Sequence, residues 1–297
     1  MRAADDSSPA RVRNLYADVA VGDWVVPSGD DERVEHLIER TSAFTRRASF
    51  EGDRFVADTL AANIDAVFLV HALGKPPNQR RLERELVLAI DSGAQPVVVL
   101  TKADLVDDPG PARDELADVS FGVPVLIASG RDRTGIAEIR AYTRGNRTLA
   151  FLGASGVGKS TLVNALLEDD VMDTGAVREA DHRGRHTTIA SQLLALPGEG
   201  WLIDTPGVRA VSLWLSGHGI ERAFADVFDL MDHCRFRDCK HDREPGCAVR
   251  AAIEAGELDP ARLASLDRLV AEEHALENEQ RRQLKLEDKR GRRRPSA

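Results

Sequence analysis

Cysteine is nearly absent from this chain. The 297 residues hold three, all between Cys234 and Cys247, an odd and clustered set that argues against disulfides and points to a metal. Long apolar runs are missing too: none approaches the length a helix needs to cross a bilayer. The first ten residues, MRAADDSSPA, lack the apolar core of a secretory signal, and a cytoplasmic protein is expected. Positive charge is in deficit, with 40 Lys and Arg against 49 Asp and Glu and a formal net charge of −9. That balance argues against a protein coated by nucleic acid. It reverses at the C-terminus, where residues 281–297 carry eight Lys or Arg and two acids. No internal repeat is present. The 42% hydrophobic content over this length suffices for one large core and one or two satellites.

The most informative stretch is GASGVGKST, Gly153, Ala154, Ser155, Gly156, Val157, Gly158, Lys159, Ser160 and Thr161. The apolar run Leu149 to Leu152 precedes it, and Leu162, Val163, Ala165, Leu166 and Leu167 follow at helical spacing, so the order is strand, glycine loop, helix. The glycines let the backbone curl until its N–H groups converge, and the helix adds the positive end of its dipole. This is a polyphosphate socket in which Lys159 would reach the β- and γ-phosphates, Ser160 would offer its hydroxyl to magnesium, and Thr161 would bond the α-phosphate.

Upstream, strands and helices alternate. A strand in IDAVFLVHAL from Ile64 precedes a helix with Leu82, Leu86 and Ile90 on one face; then come a strand at 96–100, a helix around 111–119, a strand at 124–128 and a helix around 135–143. This alternation predicts a parallel sheet covered on both faces. Residues 19–48 read as a small antiparallel β-unit, with Trp24 as core filler or, alternatively, a base-stacking surface, and with Arg40, Arg46 and Arg47 as a basic patch. Residues 1 to about 15 read as a disordered leader.

The loop after the 96–100 strand carries Thr101, Lys102 and Asp104. An aspartate there can accept from N1–H and the N2 amine of guanine at once, a donor pair adenine lacks. The Lys102 stem would cover the base, and Thr101 would tie this loop to the phosphate loop. Ser129-Gly130, after the next strand, is a place for a backbone N–H to meet the guanine O6. Asp204 and Gly207 lie in DTPG at the end of the strand 201–203, suited to a magnesium-bound water and to the γ-phosphate. Thr188, in RGRHTT from Arg183, would complete the magnesium shell and sense the γ-phosphate.

The order of these motifs is unusual, with the base loop ahead of the phosphate loop, as in a circularly permuted G domain. Together with RGRHTT and the Cys/His cluster behind it, this order resembles the circularly permuted GTPases that depend on the small ribosomal subunit and assist 30S maturation. The resemblance runs from about Val21 beyond Cys247. It implies an α/β fold: a permuted P-loop GTPase domain, an N-terminal OB domain and a C-terminal zinc and helical domain, divided as 1–58, 59–215 and 216–297. Only about thirty strand-like residues precede the G domain, fewer than a five-stranded barrel needs, so either the OB-like β-domain is reduced or the true start lies upstream. Thr101 stands where the family usually has Asn, and Gly130 where many GTPases have Ala. GTP and GDP, the small subunit and its rRNA are the implied partners of a monomer.

Cys234, Cys239, His241 and Cys247 form a closed Cys3His set suited to structural zinc, with His233 as a substitute ligand; reduced buried cysteines beside a surface histidine is the alternative. Beyond them, Ile253, Leu263, Leu266, Leu269, Val270 and Leu276 predict a helical pair ending in the basic tail, which reads either as a solvated helix end or, by the resemblance, as an arm on rRNA. For hydrolysis, Lys159 and magnesium would stabilise spreading charge. Val208 occupies the place of a water-orienting glutamine, so His186 is the candidate for that role, with simple loop stabilisation as the competing reading. A nucleotide-gated RNA-binding assembly factor with residual hydrolysis is the alternative function, and Asp104 disfavours an ATPase.

Overall fold

The computed structural model describes residues 13–14, 19–30, 32–47, 57–74, 78–119, 122–169, 192–204 and 217–291. The chain divides into two compact units, Met1–Leu213 and Trp214–Ala297.

The first unit begins with two antiparallel ribbons, β1 (Val25–Pro27) with β2 (Val34–Leu37), and β3 (Ala43–Arg47) with β4 (Ala57–Ala62). Because β4 pairs with β3, the β-region extends past residue 58, the boundary expected from sequence. Trp24, just before β1, is 49% exposed among the described residues, which corrects its reading as core filler. Arg40 does not join a basic patch. Its Nε and Nη2 each donate to the buried Asp23 carboxylate at 2.8 Å, and its Nη1 donates to Thr59 at 2.8 Å. Of the leader, Arg13 is described, and its backbone bridges Arg33.

The sheet that carries the functional loops has the order β7-β6-β5-β8-β10-β9, with β5 (Ala66–Ala72), β6 (Gln95–Thr101), β7 (Val125–Ile127), β8 (Thr148–Gly153), β9 (Gln192–Ala195) and β10 (Trp201–Asp204). All neighbours are parallel except the edge strand β9. Helices α1 (Gln79–Ser92), α2 (Gly110–Val119), α3 (Ile136–Arg140) and α4 (Lys159–Leu167) connect them. The helix expected over 135–143 is α3 followed by a tighter turn at Ala141–Thr143. Residues 66–70 of β5 are essentially inaccessible to solvent, as strands buried on both faces must be. Phe68 stacks on Phe151 at 5.2 Å and meets Tyr142 edge-on at 5.4 Å.

The second unit holds α5 (Gly217–Ala223), α6 (Ala225–Met231), α7 (Ala248–Ala255) and α8 (Pro260–Gly291). Arg262 at the start of α8 lies 4.1 Å over the Phe224 ring and reaches both oxygens of Asp226 at 2.7 and 3.0 Å. Among the described residues no helix is long and apolar enough to cross a membrane.

Candidate nucleotide and metal sites

The parallel strands β5, β6, β8 and β10 end at Ala72, Thr101, Gly153 and Asp204 along one edge of the sheet. From β5 the chain winds outward to β7, returns to the centre at β8, goes out to the edge strand β9 and comes back to β10 beside β8. The reversal between β5 and β8 opens the crevice in which open α/β sheets bind ligands.

Glycine is required where the phosphate loop begins. Gly153 has φ +146, and a Cβ there would sit 2.4 Å from the Val70 carbonyl oxygen of β5. Ala154, Ser155, Gly156 and Val157 carry the arch to Gly158, which caps α4 at φ +98. Lys159, Ser160 and Thr161 form the first turn of that helix. Lys159 is buried, and its ammonium donates to the carbonyls of Gly153, at 2.7 Å, and Ala154. A buried ammonium needs such acceptors, and these hold it at the mouth of the loop.

Thr101, buried at the end of β6, shares its hydroxyl proton between the His71 carbonyl at 3.2 Å and the Val157 carbonyl. The second bond fastens the base loop to the phosphate loop. Lys102 adopts φ +63, and Asp104 stands exposed just beyond it. The buried Ser129 hydroxyl donates to Asp104 Oδ1 at 2.8 Å. Each carboxylate oxygen offers about two lone-pair sites, so the pair of guanine donors still has acceptors. The Ser129 N–H is committed to the Thr134 carbonyl at 2.9 Å, so of this pair Gly130 is the candidate backbone donor to a ligand. A Cβ on Gly130 would lie 2.6 Å from the Thr161 carbonyl, so the base loop packs backbone to backbone on the phosphate helix. This contact gives a steric reason for glycine where many GTPases carry alanine. Asp204 ends β10 on the same edge. His186, Thr188 and Gly207 lie outside the described residues.

Cys234, Cys239, His241 and Cys247 present ligand atoms all within 4.8 Å of one another. His241 Nδ1 lies 3.6 Å from the Cys234 sulfur and 3.4 Å from that of Cys247, and the two sulfurs are 3.9 Å apart. Bonds of about 2.3 Å to sulfur and 2.0–2.1 Å to nitrogen around a tetrahedral zinc place sulfurs about 3.8 Å apart and sulfur about 3.6 Å from nitrogen. The donor set therefore fits that ion in chemistry, and Cys234, His241 and Cys247 fit it in spacing as well. His233 lies apart, its Nδ1 2.7 Å from the Asp229 carbonyl. Desolvation, reinforced by the neighbouring sulfurs and opposed by a hydrogen bond from the His241 backbone, pushes the Cys239 thiol up to about 11. Against desolvation, backbone hydrogen bonds from Val249 and Ala248 bring Cys234 below its ordinary value. Metal binding would have to displace the Cys239 proton. Cys247 also caps α7, accepting from Arg250 N–H at 3.5 Å. Glu244 accepts backbone N–H groups from Lys240, Asp242 and Arg243 at 3.0–3.1 Å, which folds the loop between ligands.

One group at the nucleotide edge is not marked by any motif: His71, at the end of β5, bonded through its ring to Glu85 of α1. Its signal in the sequence is a single titratable residue in the otherwise apolar run AVFLVHAL.

Comparison with known proteins agrees with this fold. The solved structure of YjeQ from Thermotoga maritima superposes with a TM-score of 0.62 at 26% identity, covering 86% of this chain and 85% of that one. YloQ, described as a circularly permuted GTPase, gives 0.60 at 26% identity over 86% and 80%. Among curated sequences, the small ribosomal subunit biogenesis GTPase RsgA 2 of Vibrio parahaemolyticus is 42% identical, over 88% of this chain and 72% of that protein. The small ribosomal subunit biogenesis GTPase RsgA of Streptomyces coelicolor is 46% identical over 86% and 70%. The family model described as RsgA GTPase matches residues 37–214. By this match and these identities, the chain belongs to the RsgA GTPase family.

Proposed function

We propose that this protein hydrolyses GTP while assisting maturation of the small ribosomal subunit in the cytoplasm, with the subunit stimulating its turnover. The observation that carries the guanine reading is the Thr101 hydroxyl bonded to the Val157 carbonyl, which holds Asp104 at a fixed reach from the phosphate loop. The names of the relatives support the subunit as partner, and the cationic residues of 281–294 suit an rRNA backbone.

Guanine would lie against Asp104 and the Gly130 N–H under the Lys102 stem, with the phosphates over 153–161. Magnesium, held by Ser160, Asp204 and Thr188, would supply charge neutralisation between the β- and γ-phosphates. Lys159 would stabilise the charge that spreads as water attacks the γ-phosphorus and the bond to the β-phosphate oxygen breaks, leaving GDP and phosphate. Gly207 would sense the γ-phosphate and His186 would orient the water. Cys234, Cys239, His241 and Cys247 would hold one structural zinc.

GTP turnover measured with and without purified small subunits tests this reading. A rise of about 10²-fold or more is expected, with His186→Ala losing most of that rise. Negligible turnover with subunits present would favour an RNA-binding assembly factor gated by nucleotide, and an unchanged His186→Ala rate would remove that residue from the reaction.

A further inference from the structure

Behind the nucleotide edge lies a polar chain within an apolar core. His71 and Glu85 are both buried, His71 Nε2 stands 3.0 Å from Glu85 Oε2, and the half-exposed Arg81 donates through Nε to Glu85 Oε1 at 2.7 Å. A carboxylate only accepts, so Nε2 carries the hydrogen. The residues preceding His71 on β5 are apolar and inaccessible. Exchanging a buried charged pair for apolar residues is often neutral or stabilising, because desolvating charged groups offsets their attraction. What the polar pair adds is direction.

That direction points at the hinge between the two nucleotide loops. His71 belongs to β5, which pairs with β6 on one side, His71 opposite Leu100, and with β8 on the other, Val70 opposite Gly153. The His71 carbonyl accepts from the Thr101 hydroxyl at 3.2 Å, and the Leu73 N–H donates to the Thr101 carbonyl at 2.8 Å. Residues 71–73 thus clamp Thr101 from its side chain and its main chain, and the same hydroxyl reaches the Val157 carbonyl in the phosphate loop.

We propose that Arg81, Glu85 and His71 form a brace that positions Thr101, and so fixes the separation between the base-reading loop and the phosphate loop. His71 is a positioning residue that touches no substrate atom. The proposal rests on the guanine-site reading above. The brace makes a prediction that general stabilisation does not: it matters for a ligand that spans both loops and not for one that occupies only the phosphate loop.

Full-length His71→Leu and Glu85→Leu are compared with the wild type for GTP hydrolysis and for inhibition by magnesium tripolyphosphate, which has no base. KM for GTP is expected to rise about tenfold with kcat changing less than about twofold, and the tripolyphosphate inhibition constant to stay at the wild-type value. Glu85→Gln, which keeps an oxygen to accept from His71, brings KM back to within about threefold of wild type. An unchanged KM, or equal losses of GTP and tripolyphosphate binding, overturns the brace. Should the leucine variants fail to fold, Arg81→Met at the half-exposed end carries the same test, with a KM rise of about threefold expected and an unchanged KM overturning the proposal. A wild-type protein with no preference for GTP over ATP would instead overturn the guanine site, and the brace with it.

Discussion

In the first unit the functional loops hang from strands whose side chains are sealed in a core: Phe68, Val70, Val99, Leu149 and Leu162 are buried in one continuous cluster. In the second, the stretch 234–247 carries Cys247 as its single buried residue, while Phe236 is 40% exposed. The nucleotide edge therefore gets its geometry from apolar packing and main-chain pairing, which exist without ligand. The metal loop has too little to bury and takes its geometry from four donor atoms and the Glu244 carboxylate. Rigidity inherited from a core and rigidity that an ion on those donors would confer respond to different perturbations, and each can be tested separately.

The largest effect is expected from metal removal. Structural zinc contributes roughly 10–16 kcal/mol of apparent binding energy in small folds. Chelation, or Cys247→Ala, which also deletes the α7 cap, should abolish amide-exchange protection across 234–256 and leave β5 and β8 protected. Loss of protection in both regions together would break the contrast. Next is the core: Phe68→Ala should cost about 3–5 kcal/mol, read as a lower midpoint in denaturant for the first unit with metal stoichiometry unchanged. The smallest effect is at Glu244, whose carboxyl backbone N–H groups from Lys240 and its neighbours hold down at about 2, below the ordinary 4.5. A depressed carboxylate stabilises the fold above its unfolded value, and the contribution fades as pH falls toward about 2. Glu244→Gln should speed amide exchange at Lys240, Asp242 and Arg243 at neutral pH with the metal retained. Exchange rates there equal to the wild type would show that the ligands alone shape the loop.

What was legible in the sequence had local causes. Gly153, Gly156 and Gly158 announce a loop because their positions demand φ angles that other residues resist. The Cys3His set is read from spacing because four donors within fourteen residues can converge without knowledge of the fold. The strands of the parallel sheet were legible from short apolar runs bounded by turns. The rest depended on partners distant in sequence. Whether Trp24 is covered depends on what packs around it, and the pairing of β4 with β3 joins segments on either side of residues 48–56. The commitment of the Ser129 N–H to Thr134, the tight approach of Gly130 to Thr161 and the tie between His71 and Glu85 are tertiary facts, invisible to periodicity. His186, Thr188 and Gly207 remain expectations from sequence, outside the described residues.

The strand order has a consequence for how the protein is made. β5, β6 and β7 leave the ribosome first and can pair as a three-stranded sheet, but the other neighbour of β5 is β8. Between Ala72 and Thr148 lie roughly 75 residues, about 4–15 s of synthesis at 5–20 residues per second. For that interval the Ala66–Val70 segment, later inaccessible to solvent, is an open apolar sheet edge of the kind that recruits foreign strands. A nascent chain of this topology exposes its future centre before the strand that closes it exists, so translation speed through residues 73–147 sets how long that edge is at risk.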